Sequence, residues 1–302
     1  MAAFGNTTGA GFEGAGIAGS LLPNHAGMRT CGIMLKSMRS ILGRKSRADA
    51  PAQAKAAELP DMPQPEHQTY IIGDVHGRAD LLELMLELID AHIGGTSATD
   101  PKLVFVGDYI DLGPDSAVVL ARMQELQEAF PDNVTCLMGN HERMMLDFLA
   151  DPTTRGPRWM RAGAAETLRS FGVAIADLEE SPEYDAFPAA AHSLRRRLPK
   201  TTINWLENLP LSWSSGNLWA VHAGADPGHG MDEQSARVQL WGHPEFDSAP
   251  RGDGVWVAHG HTEMDAPLAS EGRISTDTGA WRTGRLTACA IHPDGHHDFL
   301  QT

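Results

Sequence analysis

The chain has 302 residues, 42% of them hydrophobic and 21% charged, which suits a soluble globular fold with a core large enough for one large domain or two small ones. A formal charge of −15 argues against a broad nucleic-acid footprint, and no run approaches the about 20 apolar residues of a membrane-spanning helix. Cys31, Cys136 and Cys289 lie far apart with no CxxC spacing, which indicates neither a zinc finger nor a disulfide framework and makes a reducing cytoplasm the simplest compartment.

Residues 1–33 are rich in Gly, Ala, Ser and Thr without periodicity, and they lack the basic start and apolar block of a secretory leader. A disordered extension is predicted there, or translation starting at Met28 or Met34. Met34–Ile41 is short, apolar and basic, and Arg44, Lys45 and Arg47 follow; a solvated charge run is the simpler reading than a membrane-surface helix. Ala50–His67, rich in Ala, Pro and acidic residues, reads as a linker. Extension and linker together cover residues 1–67, and the folded domain covers 68–302.

The domain opens with a β-prone run at Thr69–Ile72, then GDVHGR at Gly73–Arg78. Asp80 caps a predicted helix to about Ile93, whose apolar residues recur at helical spacing until Gly94-Gly95 ends it. Leu103–Val106 is a second strand, continuous and apolar as in a buried sheet, and GDYIDLGP follows at Gly107–Pro114. Ser116–Phe130 is a helix, Val134–Met138 a third strand, GNHE occupies Gly139–Glu142, and Glu142–Leu149 is a third helix. This β-loop-α succession predicts an α/β domain with parallel strands, whose sites form at strand carboxyl ends. Arg158–Phe171, Tyr184–Leu198 and Thr201–Asn208 read as helices. Beyond them, Leu218–Val221, Val255–Ala258 and Ile274–Thr276 read as strands leading into HAG, HGHT and DTGA, and Leu286–Ile291 pairs with Asp298–Leu300 across Pro293-Asp294-Gly295.

Asp74 and His76, two residues apart in an extended segment, point the same way and can bind one ion. Asp108 has two oxygens and can bridge two ions, while Asn140, His222 and His261 offer a neutral oxygen and two imidazoles to the second. Mixed oxygen and nitrogen ligation suits Mn²⁺, with Fe or Zn as alternatives, better than Ca²⁺ or Mg²⁺. A hydroxide held between two such ions attacks phosphorus at neutral pH. The leaving group then needs a proton, and His141 with Asp111 beside it makes a credible general acid. A lone GNHE is weak, but three such motifs in order, each after an apolar strand and followed by two histidines in matching contexts, are specific.

These segments resemble the PPP family of serine/threonine protein phosphatases, within the calcineurin-like metallophosphoesterases, and most of all its small bacterial members, which carry segments like Val221–Gly224, Gly260–Thr262 and Asp277–Ala280. The resemblance covers about residues 68–301. It implies a β-sandwich flanked by helices, in four αββα layers. It implies one metal on Asp74, His76 and Asp108, a second on Asp108, Asn140, His222 and His261, and His141 as acid with Asp111 its partner. Glu263 stands where other branches of the superfamily carry a further histidine.

Two departures stand out. Leu112 and His243 occupy the positions where the family pattern has phosphate-gripping arginines. A guanidinium holds phosphate bidentately and Leu cannot, so each missing charge-assisted hydrogen bond costs about 1.5–3 kcal/mol. Arg78, Arg143 or Arg161 can supply a substitute cation, so Arg78 and His243 are the substrate-binding candidates. His259 is either a support for the site or an ordinary strand-end residue; Asp277 either orients a ligand histidine or caps a turn; Trp159, Trp205, Trp213, Trp219 and Trp256 read as core or lid. The expected activity is hydrolysis of phosphate monoesters on a phosphorylated protein or small phosphoester. The alternatives are a phosphodiesterase or nucleotide polyphosphate hydrolase, and a metal-binding pseudophosphatase.

Overall fold

The computed structural model describes residues 62–176, 178 and 186–302. The predicted extension therefore lies outside the described residues. Two five-stranded sheets stack face to face. The first has the order β10-β9-β1-β2-β3, from His297–Gln301 (β10), Thr287–Ile291 (β9), Thr69–Ile72 (β1), Lys102–Phe105 (β2) and Val134–Cys136 (β3). The second has the order β4-β5-β6-β8-β7, from Ser212–Ser215 (β4), Leu218–Val221 (β5), Trp256–His259 (β6), Arg273–Ser275 (β8) and Leu268–Ser270 (β7). Strands β1, β2 and β3 run parallel, as do β5, β6 and β8.

Strand alternation sets the layers. Ile71, Val104, Ala220, Ala258, Ile274 and Cys289 fill the space between the sheets. Tyr70, Ile72, Leu103 and Phe105 face the other way, onto the apolar sides of helices α1 (Ala79–Gly94) and α2 (Ser116–Ala129). Helices α3 (Asn140–Ala150), α4 (Pro152–Arg161), α5 (Ala164–Ser170), α6 (Ala186–Arg197) and α7 (Lys200–Glu207) join that cluster. The outer face of the second sheet carries a thinner cover around Met231 and Phe246, beside α8 (Ala236–Trp241). The four-layer α/β architecture that the resemblance implies is thus present.

Several details differ from the sequence reading. Helix α1 begins at Ala79, so Asp80 lies in its first turn instead of capping it. Arg158–Phe171 is two helices, not one, because the chain turns at Gly163 with φ 102°, and α4 begins at Pro152, where Asp151 accepts the Thr154 N–H. The edge strands β4 and β7 carry no apolar alternation and leave no period-2 signal. Residues 62–66, read as the end of a linker, lie against the β4–β5 turn: Gln64 N–H donates to Asn217 Oδ1 at 2.6 Å, Glu66 N–H to Ser215 Oγ at 2.9 Å, and Pro63 and Pro65 are buried. Among the described residues, no helix is long and apolar enough to cross a membrane.

Candidate two-metal centre

The loops after β1, β2, β3, β5 and β6 converge where the carboxyl ends of both sheets meet. Several turn residues sit in the left-handed region that non-glycine residues avoid, His76 at φ 43°, Asp108 at φ 53°, Asp111 at φ 69° and His261 at φ 64°. Each such residue costs about 1 kcal/mol or more and persists only when its surroundings over-determine it. Here they do. His76 N–H donates to the Asp108 carbonyl at 2.9 Å, and the Glu142 carboxylate accepts the N–H groups of Asp108 at 2.9 Å, Tyr109 at 2.8 Å and Gly139 at 3.0 Å. Glu142 is fully buried and ties the GDYIDLGP loop to the start of α3.

All six predicted ligands and the predicted acid pair come together. Around Asp108 Oδ2 stand His222 Nε2 at 3.4 Å, His76 Nε2 at 3.6 Å and His141 Nε2 at 3.8 Å. Asn140 Oδ1 lies 2.6 Å from His222 Nε2 and 2.9 Å from His261 Nδ1. His76 Nδ1 meets the Ile110 carbonyl at 2.7 Å and His222 Nδ1 the Val106 carbonyl at 3.0 Å, so each ring keeps its proton on Nδ1 and turns the Nε2 lone pair inward. Asp74 Oδ2 accepts the His261 N–H at 3.0 Å, while Asp74 Oδ1 is buried and accepts no hydrogen bond.

The electrostatics ask for cations. Burial first, then the charges of Asp277 and Asp108, hold Asp74 well above the usual carboxylate range. Burial and then Asp108 push Glu142 up to about 7, and burial lifts Asp277 to about 6. Asp108 is instead held low: burial opposes its charge, but His222 and His141 outweigh that. Burial, then His222, lowers His261 to about 4, which leaves it a neutral donor. A buried cluster of acceptors and lone pairs with an orphaned carboxylate oxygen fits two divalent ions shared through Asp108.

Asp111 is fully buried and accepts from His141 Nδ1 at 2.7 Å, Trp159 Nε1 at 2.7 Å and Thr167 Oγ1 at 2.5 Å. Burial disfavours the charged His141 ring, but Asp108 and Asp111 overcome it and raise His141 to about 9. Trp159 and Thr167 come from α4 and α5, far away in sequence, and no pattern marks them. Glu142 left a signal, a Glu at the third position of a helix opening at Gly139.

The substrate side is less regular. Leu112, at φ 67°, packs on the α4–α5 junction, where a Cβ on Gly163 would lie 2.5 Å from Leu112 Cδ2. Arg78 reaches Asp80 with two nitrogens, at 2.8 and 2.6 Å, and the Ala280 carbonyl at 3.0 Å, and Arg143 pairs with Asp147. His243 faces Asp226 at 3.7 Å and lines a groove of about 380 Å³ beside His261, with Arg237 and Trp241. The Arg158 guanidinium stacks over Trp241, 4.2 Å from the ring centroid. Trp241 stands out in the sequence only as the head of the Trp241-Gly242-His243 segment in which His243 replaces an arginine, and Arg158 and Arg237 give no signal of a role there. Asp277 caps the turn at Gly279, and His259 is buried beside Ser275.

Residues 67–293 match the model of the calcineurin-like phosphoesterases. The chain belongs to this family. Members are metal-dependent phosphoester hydrolases, and the donor set above is in keeping with that. The chain is 29% identical over 168 residues to a zinc-dependent endopolyphosphatase of Saccharomyces cerevisiae, covering 53% of this chain and 48% of that protein, and so spans about half its length. It is 24% identical over 236 residues to an asymmetrical bis(5'-nucleosyl)-tetraphosphatase, PrpE, of Bacillus velezensis, covering 72% of this chain and 86% of that one. The solved structure of a candidate diadenosine tetraphosphatase shares the fold at a TM-score of 0.52 and 20% identity, covering 78% of this chain and 95% of the other.

Proposed function

We propose that this calcineurin-like phosphoesterase cleaves a phosphoanhydride bond in a nucleotide polyphosphate. The observation that carries this is where the cations stand. Leu112 packs against Gly163, leaving no guanidinium at that position, while Arg237 lines a groove that opens beside His261 and Arg158 stacks on Trp241, another residue of that groove. A monoester offers one phosphoryl group and needs its grip at the reacting centre. A polyphosphate offers further phosphates, and binding energy from remote groups can be used to orient the reacting one. The endopolyphosphatase and tetraphosphatase relatives support this substrate class.

When bound, two divalent ions supply Lewis acidity toward phosphoryl oxygen and acidify water. Asp74, His76 and Asp108 would hold one, and Asp108, Asn140, His222 and His261 the other. His141, held through Nδ1 by Asp111, gives its Nε2 proton to the departing oxygen. Trp159 and Thr167 hold Asp111 and thereby the ring. Arg158, Arg237 and His243 bind the outer phosphates, and Arg78 stiffens the first loop through Asp80.

Turnover by the purified, metal-loaded protein on a dinucleoside tetraphosphate, inorganic polyphosphate, an aryl phosphate monoester, a diester and a phosphopeptide tests this. The tetraphosphate is expected to show the highest kcat/KM, and Arg158→Ala with Arg237→Ala to raise its KM about a hundredfold or more, for roughly 1.5–3 kcal/mol per charge-assisted hydrogen bond. A higher kcat/KM on the phosphopeptide would return the protein-phosphatase reading, which rests on the order of the motifs. Metal binding without turnover on any of these would leave the pseudophosphatase reading.

A further inference from the structure

At the opposite end of β1 from Asp74, three imidazoles converge on one carboxylate oxygen. His92 lies in the last turn of α1, and His292, His296 and Asp298 lie on the β9–β10 hairpin. Their Nε2 atoms stand 4.0, 3.9 and 3.5 Å from Asp298 Oδ2. The ligand atoms of His92, His292 and Asp298 all fall within 4.8 Å of one another. At 3.5–4.0 Å the Nε2 to Oδ2 separations are too long for good hydrogen bonds, so the cluster is not held together by the bonds its members make to Asp298.

We propose that His92, His292, His296 and Asp298 form a further transition-metal site of the zinc class, separate from the catalytic pair. Three imidazole nitrogens and one carboxylate oxygen are a tetrahedral zinc donor set, and bonds of about 2.0–2.1 Å put neighbouring ligand atoms roughly 3.4 Å apart. The Nε2 to Oδ2 separations need to contract by up to about 0.6 Å, the ligand atoms of His92, His292 and Asp298 start within 4.8 Å of one another, and the exposed His296 ring, which stands outside that group, would turn in from the hairpin to complete the set.

Two features prepare the site. His92 Nδ1 lies 2.8 Å from the buried Tyr70 hydroxyl, which accepts from Gln68 Nε2 at 2.6 Å, so the ring orientation is held with Nε2 turned toward the hairpin. The hairpin turn is closed by His292 N–H to the His296 carbonyl at 2.8 Å and Gly295 N–H to the His292 carbonyl at 2.9 Å, which sets His292 and His296 side by side with ring centroids 5.7 Å apart. An ion here would tie the end of α1 to the hairpin and stabilise the edge of the first sheet, without touching substrate.

The test is zinc stoichiometry on the untagged full-length chain, stripped with chelator and re-equilibrated by dialysis against Zn²⁺. Wild type is expected to bind one more equivalent per chain than His292→Ala/His296→Ala or Asp298→Asn, with turnover retained in both variants. With Co²⁺, the intense visible bands of a tetrahedral centre should be lost in both. Equal metal content and equal Co²⁺ spectra in wild type and in both variants, each folded by circular dichroism, would overturn the proposal.

Discussion

Asp111→Asn separates the acid's position from its charge. In the wild type, the Asp111 carboxylate is buried with its donors Trp159 and Thr167, and the partly exposed His141 is raised from 6.5 to about 9. That rise corresponds to about 3 kcal/mol favouring the protonated ring. The charges of Asp108 and Asp111 share it, and the hydrogen bond to Asp111 is among the larger contributions. A charge-assisted hydrogen bond is worth about 1.5–3 kcal/mol, so Asn at 111 should bring His141 down by roughly one to two pKa units. The folded pKa is raised, so this stabilisation is complete below 6.5 and is lost as pH rises through about 9; the variant should lose it at lower pH. NMR titration of His141 in the metal-free protein reads the shift directly. In the loaded enzyme, the alkaline limb of the kcat profile should move to lower pH. An unchanged His141 titration in a folded variant would show that Asp111 does not set the acid.

Other outcomes follow from the same geometry. Glu142 and Asp277 have folded pKa values near 7 and 6, above their ordinary 4.5 and 3.8, so they favour folding below those ordinary values and lose that contribution as pH rises through about 6 to 7. The metal-free protein should therefore melt at a lower temperature at pH 7.5 than at pH 5, and divalent ions should close the gap; a flat Tm against pH without metal would contradict the crowded-carboxylate account. Leu112→Arg, alone or with His243→Arg, should raise kcat/KM on an aryl phosphate monoester while lowering Tm, since Leu112 packs on Gly163; no gain in a folded, loaded double variant would show that the missing guanidinium is not limiting. Glu142→Gln should weaken divalent-ion binding about 10- to 100-fold, as loss of groups that orient metal ligands does, because the Gln amide cannot accept all three backbone N–H groups; isothermal titration with Mn²⁺ measures it, and wild-type affinity would deny Glu142 that role.

Much of the fold and of the candidate centre was legible in the sequence because both depend on short local patterns. An apolar run followed by Gly-Asp or Gly-Asn places Asp74, Asp108 and Asn140 at strand ends, with His76 two residues on, and His222 and His261 follow the apolar runs of β5 and β6 in the same way. Strands β4 and β7 were not legible, since partly exposed edge strands carry no alternation. The split of the Arg158–Phe171 helix turned on one positive φ at Gly163, and residues 62–66 gained their place through hydrogen bonds with Ser215 and Asn217, about 150 positions away.

The sequence by itself determined which metal-capable side chains close the strands, their order along the chain and the apolar Leu112 beside them, because these are matters of residue chemistry and local spacing. The tertiary structure alone decided which groups hold them. Trp159 and Thr167 reach Asp111 from α4 and α5, Arg158 finds Trp241, Arg78 turns to Asp80, and His92 meets the β9–β10 hairpin. Most of these join distant segments through the way helices and sheets pack, and no local period or motif encodes them.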